Sequence, residues 1–215
     1  MTDMGSPSPF RQPPQPGQPI VAFDFDGTLT IRDSFTTFLR WRAGSAGWVR
    51  GLAGMVPDMV TYVGDRDRGR IKAASVRQFL AGIPRQTLEA EAERFAEQAW
   101  DRFMRPDALA CWQGWGDKGA HRVIVTASPE TTVAPFARRL GAENLIGTRL
   151  EFDPQGRVTG RFLDENCRRA EKVRRLLAVY GPDLALAAAY GDTSGDIEMI
   201  AMAQEKGFRV FTGRP

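Results

Sequence analysis

Histidine occurs once in the 215 residues, as His121, and cysteine twice, as Cys111 and Cys167. A single histidine excludes the multi-histidine zinc and iron centres. Two cysteines far apart in sequence form neither a disulfide framework nor a metal knuckle, which points to a reducing compartment, the cytoplasm. Excess charge of one sign is scarce as well. Lys and Arg number 29 against 26 Asp and Glu, a net of +3, far from the dense basic cover of a nucleic-acid-binding protein. No apolar run reaches the roughly 18 residues that mark a membrane-spanning helix. The nearest, Trp48 to Val63, is interrupted by Arg50, Pro57 and Asp58. The start of the chain carries no apolar run behind a basic segment, so it does not read as a signal peptide.

Hydrophobic residues make up 42% and charged residues 26%, the balance of a globular chain. Residues 1–19 hold six of the fourteen prolines and offer little to bury, so they read as a disordered tail. Order is expected from Ile20-Val21-Ala22-Phe23, a short apolar run that delivers Asp24 and Asp26 at its end. Arg122 to Thr126 and Leu184 to Tyr190 are similar runs, ending at Thr126-Ala127-Ser128-Pro129 and Gly191-Asp192. Such runs are buried parallel strands, whose C-terminal ends line one crevice. Leu88, Ala92, Phe95, Ala99 and Phe103 form a helical stripe, and Pro106 opens the next helix. Ala170 to Tyr180 is another helix, Phe152 to Phe162 a hairpin around Asp153-Pro154-Gln155-Gly156, and Phe208 to Phe211 the last strand. The first two core strands lie too far apart for one crossover helix. The expected fold is therefore an α/β, doubly wound, Rossmann-like parallel sheet in residues 20–32 and 106–215, with a helical cap inserted at 33–105.

Asp24-Phe25-Asp26-Gly27-Thr28 places two carboxylates two residues apart where a buried strand enters a glycine turn. They repel unless a cation lies between them or one stays protonated; Mg2+, a hard ion that takes carboxylates, water and phosphate, meets the first condition. Asp24 then suits a nucleophile towards phosphorus and Asp26 a general acid and base. Main-chain N–H groups in the turn (Phe25, Gly27, Thr28) can take phosphate oxygens. Asp192 and Asp196, in Gly191-Asp192-Thr193-Ser194-Gly195-Asp196, complete a metal pocket or cap the following helix. Thr126, Ala127 and Ser128 offer hydroxyls and N–H groups to an anion at a helix start. Lys172, at the start of its helix, supplies the cation that a transferring phosphoryl group requires.

Together these residues resemble the haloacid dehalogenase-like superfamily of phosphohydrolases, from Val21 to about Phe211. Its D-x-D-G-T pattern matches Asp24 to Thr28, its hydroxyl motif Thr126, its lysine Lys172 and its G-D-x-x-x-D pattern Gly191 to Asp196. The resemblance implies a nucleophilic Asp24, with Asp26 as acid and base. It also implies Mg2+ held by Asp24, the Asp26 carbonyl and Asp192 with help from Asp196, and phosphoryl oxygens held by Thr126 and Lys172, with Ser128 close enough to contribute. Asp26 favours a phosphate ester over a dehalogenation substrate, because a halide leaves unprotonated. The insert, with Arg32-Asp33-Ser34-Phe35 and Asn166 to Lys172, resembles the phosphoserine phosphatase-like branch. It is also similar to bacterial phosphatidylglycerophosphate phosphatases of this superfamily. Arg32 joins the phosphate-binding candidates on that likeness. The expected activity is magnesium-dependent hydrolysis of a small-molecule or lipid phosphomonoester. The alternatives are a phosphoserine phosphatase-type enzyme and a non-catalytic membrane-surface protein retaining the fold.

The net charge is local. Residues 32–77 hold nine Lys and Arg against four Asp and Glu. Trp41, Trp48, Leu52, Met55, Val56, Met59, Val60 and Tyr62 lie beside Arg66, Arg68, Arg70 and Lys72. That pairing suits peripheral contact with an anionic membrane at its inner face through residues 41–72, an amphiphilic phosphate ester, or simply a cap packed on itself.

Overall fold

The computed structural model describes residues 10, 12–65 and 68–215; the side chains of residues 62–65 and 68 lie outside this description. Five parallel strands form one sheet in the order β3-β2-β1-β6-β7. They are β1 (Ile20–Phe23), β2 (His121–Pro129), β3 (Asn144–Thr148), β6 (Leu186–Gly191) and β7 (Ala203–Phe208). Side-chain alternation along β1 sorts the two faces. Val21 and Phe23 join Trp112 and Phe136 in the larger core, from α5 (Pro106–Asp117) and α6 (Glu130–Leu140). Ala22 faces Leu176, Met199 and Ile200 in a second core, beneath α7 (Ala170–Tyr180) and α8 (Ile197–Ala201). Helices on both faces of a parallel sheet are the doubly wound arrangement that the three apolar runs imply.

Four helices precede α5 in the stretch between β1 and β2: α1 (Ser34–Gly54), α2 (Val56–Asp65), α3 (Arg68–Leu80) and α4 (Arg85–Ala99). Asp33 caps α1, accepting from Thr36 N at 2.6 Å, and Gly44, at φ +64°, kinks it. The hairpin of β4 (Leu150–Phe152) and β5 (Val158–Phe162) docks on this helical unit. Gly82 N donates to Val158 O at 2.7 Å and Val158 N to Ile83 O at 2.9 Å. Among the described residues no helix is long and apolar enough to cross a membrane.

Several boundaries differ from expectation. Phe103 lies beyond α4, after a short turn at Trp100–Arg102, and the third run forms a strand only from Leu186. The last strand is Ala203–Phe208 rather than Phe208 to Phe211. Its Glu205 and Lys206 suit an edge strand and erase the apolar signature. The apolarity of the segment after it has another cause: Phe211 packs on the Phe23 and Tyr190 rings, with centroids 6.5 and 5.3 Å away. Of the expected disordered tail, residues 1–9 and 11 lie outside the described residues. Phe10 is buried in the larger core, and Gln18 Nε2 donates to Gly119 O at 2.9 Å.

Candidate active site

The polar ends of β1, β2 and β6 converge because these are the three central strands of the sheet. β1 hands Asp24 into a tight turn, Phe25–Leu29, in which Gly27 takes φ +82°. Gly27 is required on two counts. A side chain disfavours that φ, and a Cβ there would stand 2.2 Å from Asp192 Oδ2. The β1 turn and the loop after β6 can close on one another only because position 27 lacks a side chain.

Carboxylate oxygens of Asp24, Asp192 and Asp196 lie within 4.8 Å of one another. Lys172 Nζ sits among them, donating to Asp24 Oδ1 at 2.6 Å, Asp196 Oδ1 at 2.7 Å and Val125 O at 2.5 Å. All three ammonium protons are therefore engaged. Asp196 also accepts from Thr193 N and Oγ1, both at 2.9 Å, so it closes its own loop rather than capping α8. Asp192 Oδ1 is buried without a hydrogen-bond partner. An orphaned carboxylate oxygen beside two further carboxylates is a hard, anionic donor set that fits Mg2+.

Burial pushes the Asp24 carboxyl up to about 7, against the opposing pull of Lys172. Burial also raises Asp192, reinforced by Asp196 and Asp26. Asp196 ends up lowered: burial works against its charge, but Lys172 and Thr193 outweigh it. Burial likewise opposes the Lys172 charge, and Asp24 and Asp196 more than restore it.

The Asp26 side chain is turned away from this trio. Its Oδ1 accepts from Ser34 N at 2.6 Å, and its Oδ2 from Ser128 Oγ at 2.5 Å. The resemblance gives Asp26 only a main-chain carbonyl as metal ligand, and the side chain leaves that division of labour open. Thr126 Oγ1 lies 3.5 Å from Asp26 Oδ2 and accepts Ser128 N at 3.0 Å. Both hydroxyl candidates thus meet at Asp26. Thr28 Oγ1 donates to Asp24 Oδ2 at 3.2 Å. Ala127 and Arg32 line the cavity. The Phe25 ring does not, being packed 5.3 Å from Phe136, so only the main chain of Phe25 faces the turn.

Two residues come to the site without a sequence signal. Lys72, one member of a basic cluster, reaches down from α3 to Ser128 Oγ at 3.1 Å and Ala127 O at 3.3 Å. Arg105 ties the turn to the end of the chain, donating to Gly27 O at 3.2 Å and Gly213 O at 3.0 Å. Both tryptophans of the expected membrane-facing stretch are half-buried. Trp41 stacks on Phe38 at 6.0 Å, and Trp48 lines the cavity. Arg66 lies outside the described residues.

A cavity of about 670 Å³ opens above the carboxylates, walled on the far side by residues of α1, α2 and α3. Its dimensions suit a small-molecule ligand.

Comparison with known proteins places this geometry in a family. The model for haloacid dehalogenase-like hydrolases matches residues 21–201. Protein CicA of Caulobacter vibrioides is 57% identical over 196 residues, which span 91% of this chain and 88% of that protein. A protein of unknown function from Bordetella pertussis Tohama I shares 26% identity at a TM-score of 0.70, covering 86% of each chain. A substrate-bound phosphoserine phosphatase has the same fold at 19% identity and a TM-score of 0.59, over 89% of this chain and 85% of that one. Since the family match runs through every strand end that carries a candidate side chain, the chain belongs to the haloacid dehalogenase-like hydrolases.

Proposed function

We propose that the protein is a magnesium-dependent phosphomonoester hydrolase working through an aspartyl phosphate on Asp24. The observation that carries this is the trio of Asp24, Asp192 and Asp196, with oxygens within 4.8 Å and one of them orphaned. Mg2+ held there by the three carboxylates and the Asp26 carbonyl would supply charge neutralisation for the phosphoryl group. In the first step an Asp24 oxygen bonds to phosphorus while the ester P–O bond breaks. Asp26 gives its proton to the departing oxygen. In the second step Asp26 takes a proton from water, the water oxygen bonds to phosphorus, and the Asp24 oxygen leaves with inorganic phosphate released.

Lys172 fixes Asp24 and offsets the charge that gathers around it. Burial raises the Asp26 carboxyl, helped by Asp33 and opposed by Lys72, Ser128 and Ser34. A raised carboxyl pKa is what a group serving as acid and then base near neutrality needs. In this reading residues 20–32 and 106–215 are the catalytic core, and 33–105 the cap that meets the leaving group. The similarity to a phosphoserine phosphatase supports phosphoester chemistry, and unpaired Cys111 and Cys167 fit a cytoplasmic setting. Exposed Val49, Val56 and Val60 support peripheral contact of residues 41–72 with a membrane. Hydrolysis of p-nitrophenyl phosphate with Mg2+, abolished in Asp24→Asn, is the expected result. Undiminished turnover in that variant overturns the mechanism.

A further inference from the structure

The cavity has two unlike halves. Its floor holds the three carboxylates, and its roof is built from Trp48, Leu52, Met55, Met59, Ile71 and Phe79. Trp48 and Phe79 stack at 5.1 Å with 21° between their planes. A Cβ on Gly51 would stand 2.2 Å from Phe79 Cε1, so a glycine in α1 lets the Phe79 ring lie against the helix. The apolar surface is thus formed by close packing before any ligand arrives.

Polar groups are almost absent from this half. Of the described lining residues from Trp48 to Phe79, Lys72 alone is charged and Ser75 alone carries a hydroxyl. Lys72 points to the floor, at Ser128 and Ala127. Ser75 Oγ is committed to Ile71 O at 2.9 Å. Against this wall a leaving group with its own ammonium or carboxylate would lose water without partners from it, since the cavity's other charged side chains, Arg32, Asp33 and Arg168 among them, come from outside residues 48–79. The roof also continues outward. Met59 is 40% exposed, and Val56 and Val60, at 53% and 69%, share its helix face by their spacing of three and four.

We infer that the alcohol portion of the substrate is an extended apolar chain, so that the enzyme acts on amphiphilic phosphomonoesters. The phosphate sits over the carboxylates, and the chain runs under Trp48 and Phe79 towards Met59. The inference rests on the phosphomonoesterase reading above and adds the class of leaving group.

The test is kcat/KM of the full chain with Mg2+ on n-alkyl phosphates of two, four, six and eight carbons, beside p-nitrophenyl phosphate and O-phosphoserine. Burial of each methylene should raise kcat/KM by about threefold, with O-phosphoserine no better than ethyl phosphate. Met59→Asp and Leu52→Gln should each cut the octyl-to-ethyl ratio by about tenfold or more. A flat series, or preference for O-phosphoserine while p-nitrophenyl phosphate is still hydrolysed, overturns the inference and leaves the phosphatase reading standing. If no ester is hydrolysed that reading falls, and calorimetry with n-alkylphosphonates decides the cavity's preference. Tightening with chain length upholds the apolar site, and uniform or absent binding overturns it. Vesicles containing phosphatidic acid separate the two sources of such a chain. Phosphate released from them assigns a bilayer lipid, and release from octyl phosphate alone assigns a free amphiphile.

Discussion

Lys172 Nζ donates to Asp24 Oδ1 at 2.6 Å with both side chains out of solvent. The bond joins the first turn of α7 to the end of β1. Replacing one partner of a buried pair leaves the other charge uncompensated, which costs about 3–5 kcal/mol. Lys172→Met should lose activity and unfold at lower urea. The deficit should grow from pH 5 to pH 8, as Asp24 and Asp196 ionise without their cation. Added Mg2+ should recover part of it, since the same carboxylates would bind the ion. A deficit independent of pH and Mg2+ would assign Lys172 a packing role only.

In the proposed mechanism the Asp26 side chain transfers protons, and its oxygens meet Ser34 N and Ser128 Oγ rather than the metal trio. Asp26→Asn should slow turnover of alkyl phosphates by about 10²–10⁴-fold. Formation of the aspartyl phosphate from p-nitrophenyl phosphate should suffer far less, because nitrophenolate leaves without a proton. Rapid-quench measurement of the first step on both esters checks this; equal losses would remove Asp26 from the acid role.

Gly27→Ala tests the closure of the two loops. The substitution forces a side chain onto φ +82° and places its Cβ 2.2 Å from Asp192 Oδ2. Backbone strain of this kind costs about 1–3 kcal/mol. Displacement of Asp192 should raise the Mg2+ concentration for half-maximal activity by about tenfold or more. An unchanged Mg2+ dependence would show that Asp192 does not contribute to the metal site.

The core strands are legible in sequence because strands buried on both faces are continuous apolar runs, and their carboxylates interrupt those runs at the site. β7 is not, since Ala203–Phe208 exposes Gln204, Glu205 and Lys206 in succession at the sheet edge. The convergence of Asp24, Asp192 and Asp196 follows from motif order and parallel topology, but the neighbourhood of Asp26 does not. Lys72 and Arg105 carry no local pattern that separates them from other cations nearby. Their positions are fixed only when α3 folds over β2 and the chain end returns to Gly27. Trp41 and Trp48 show that composition alone does not assign individual side chains: one stacks on Phe38 and the other lines the cavity.

His121 supplies a pH dependence of stability away from the site. Its ring is buried and bonded to the Tyr180 hydroxyl at 2.9 Å. Burial lowers its pKa against the influence of Glu143. Above about pH 6.5 the ring is neutral folded and unfolded alike. As pH falls below that value the unfolded chain takes the proton first, so stability is lost down to the folded pKa. Urea midpoints between pH 7.5 and pH 5.5 should therefore fall more in the native chain than in His121→Gln. A parallel fall in both would exclude His121 as the source.

Lys72 extends the chemistry of the site into α3. It sits 3.1 Å from Ser128 Oγ, the hydroxyl that donates to Asp26, and it opposes the rise in the Asp26 pKa caused by burial and Asp33. Removing it as Lys72→Met should lift that pKa further. Where hydrolysis of the aspartyl phosphate limits the rate, Asp26 must be deprotonated to accept a proton from water. The rate then falls as pH drops through its pKa, so the acid limb of kcat should move to higher pH in the variant. The shift should shrink in high salt only slightly, because the Lys72 side chain is 15% exposed. An acid limb that stays in place while KM rises would instead assign Lys72 to ground-state binding of the phosphate.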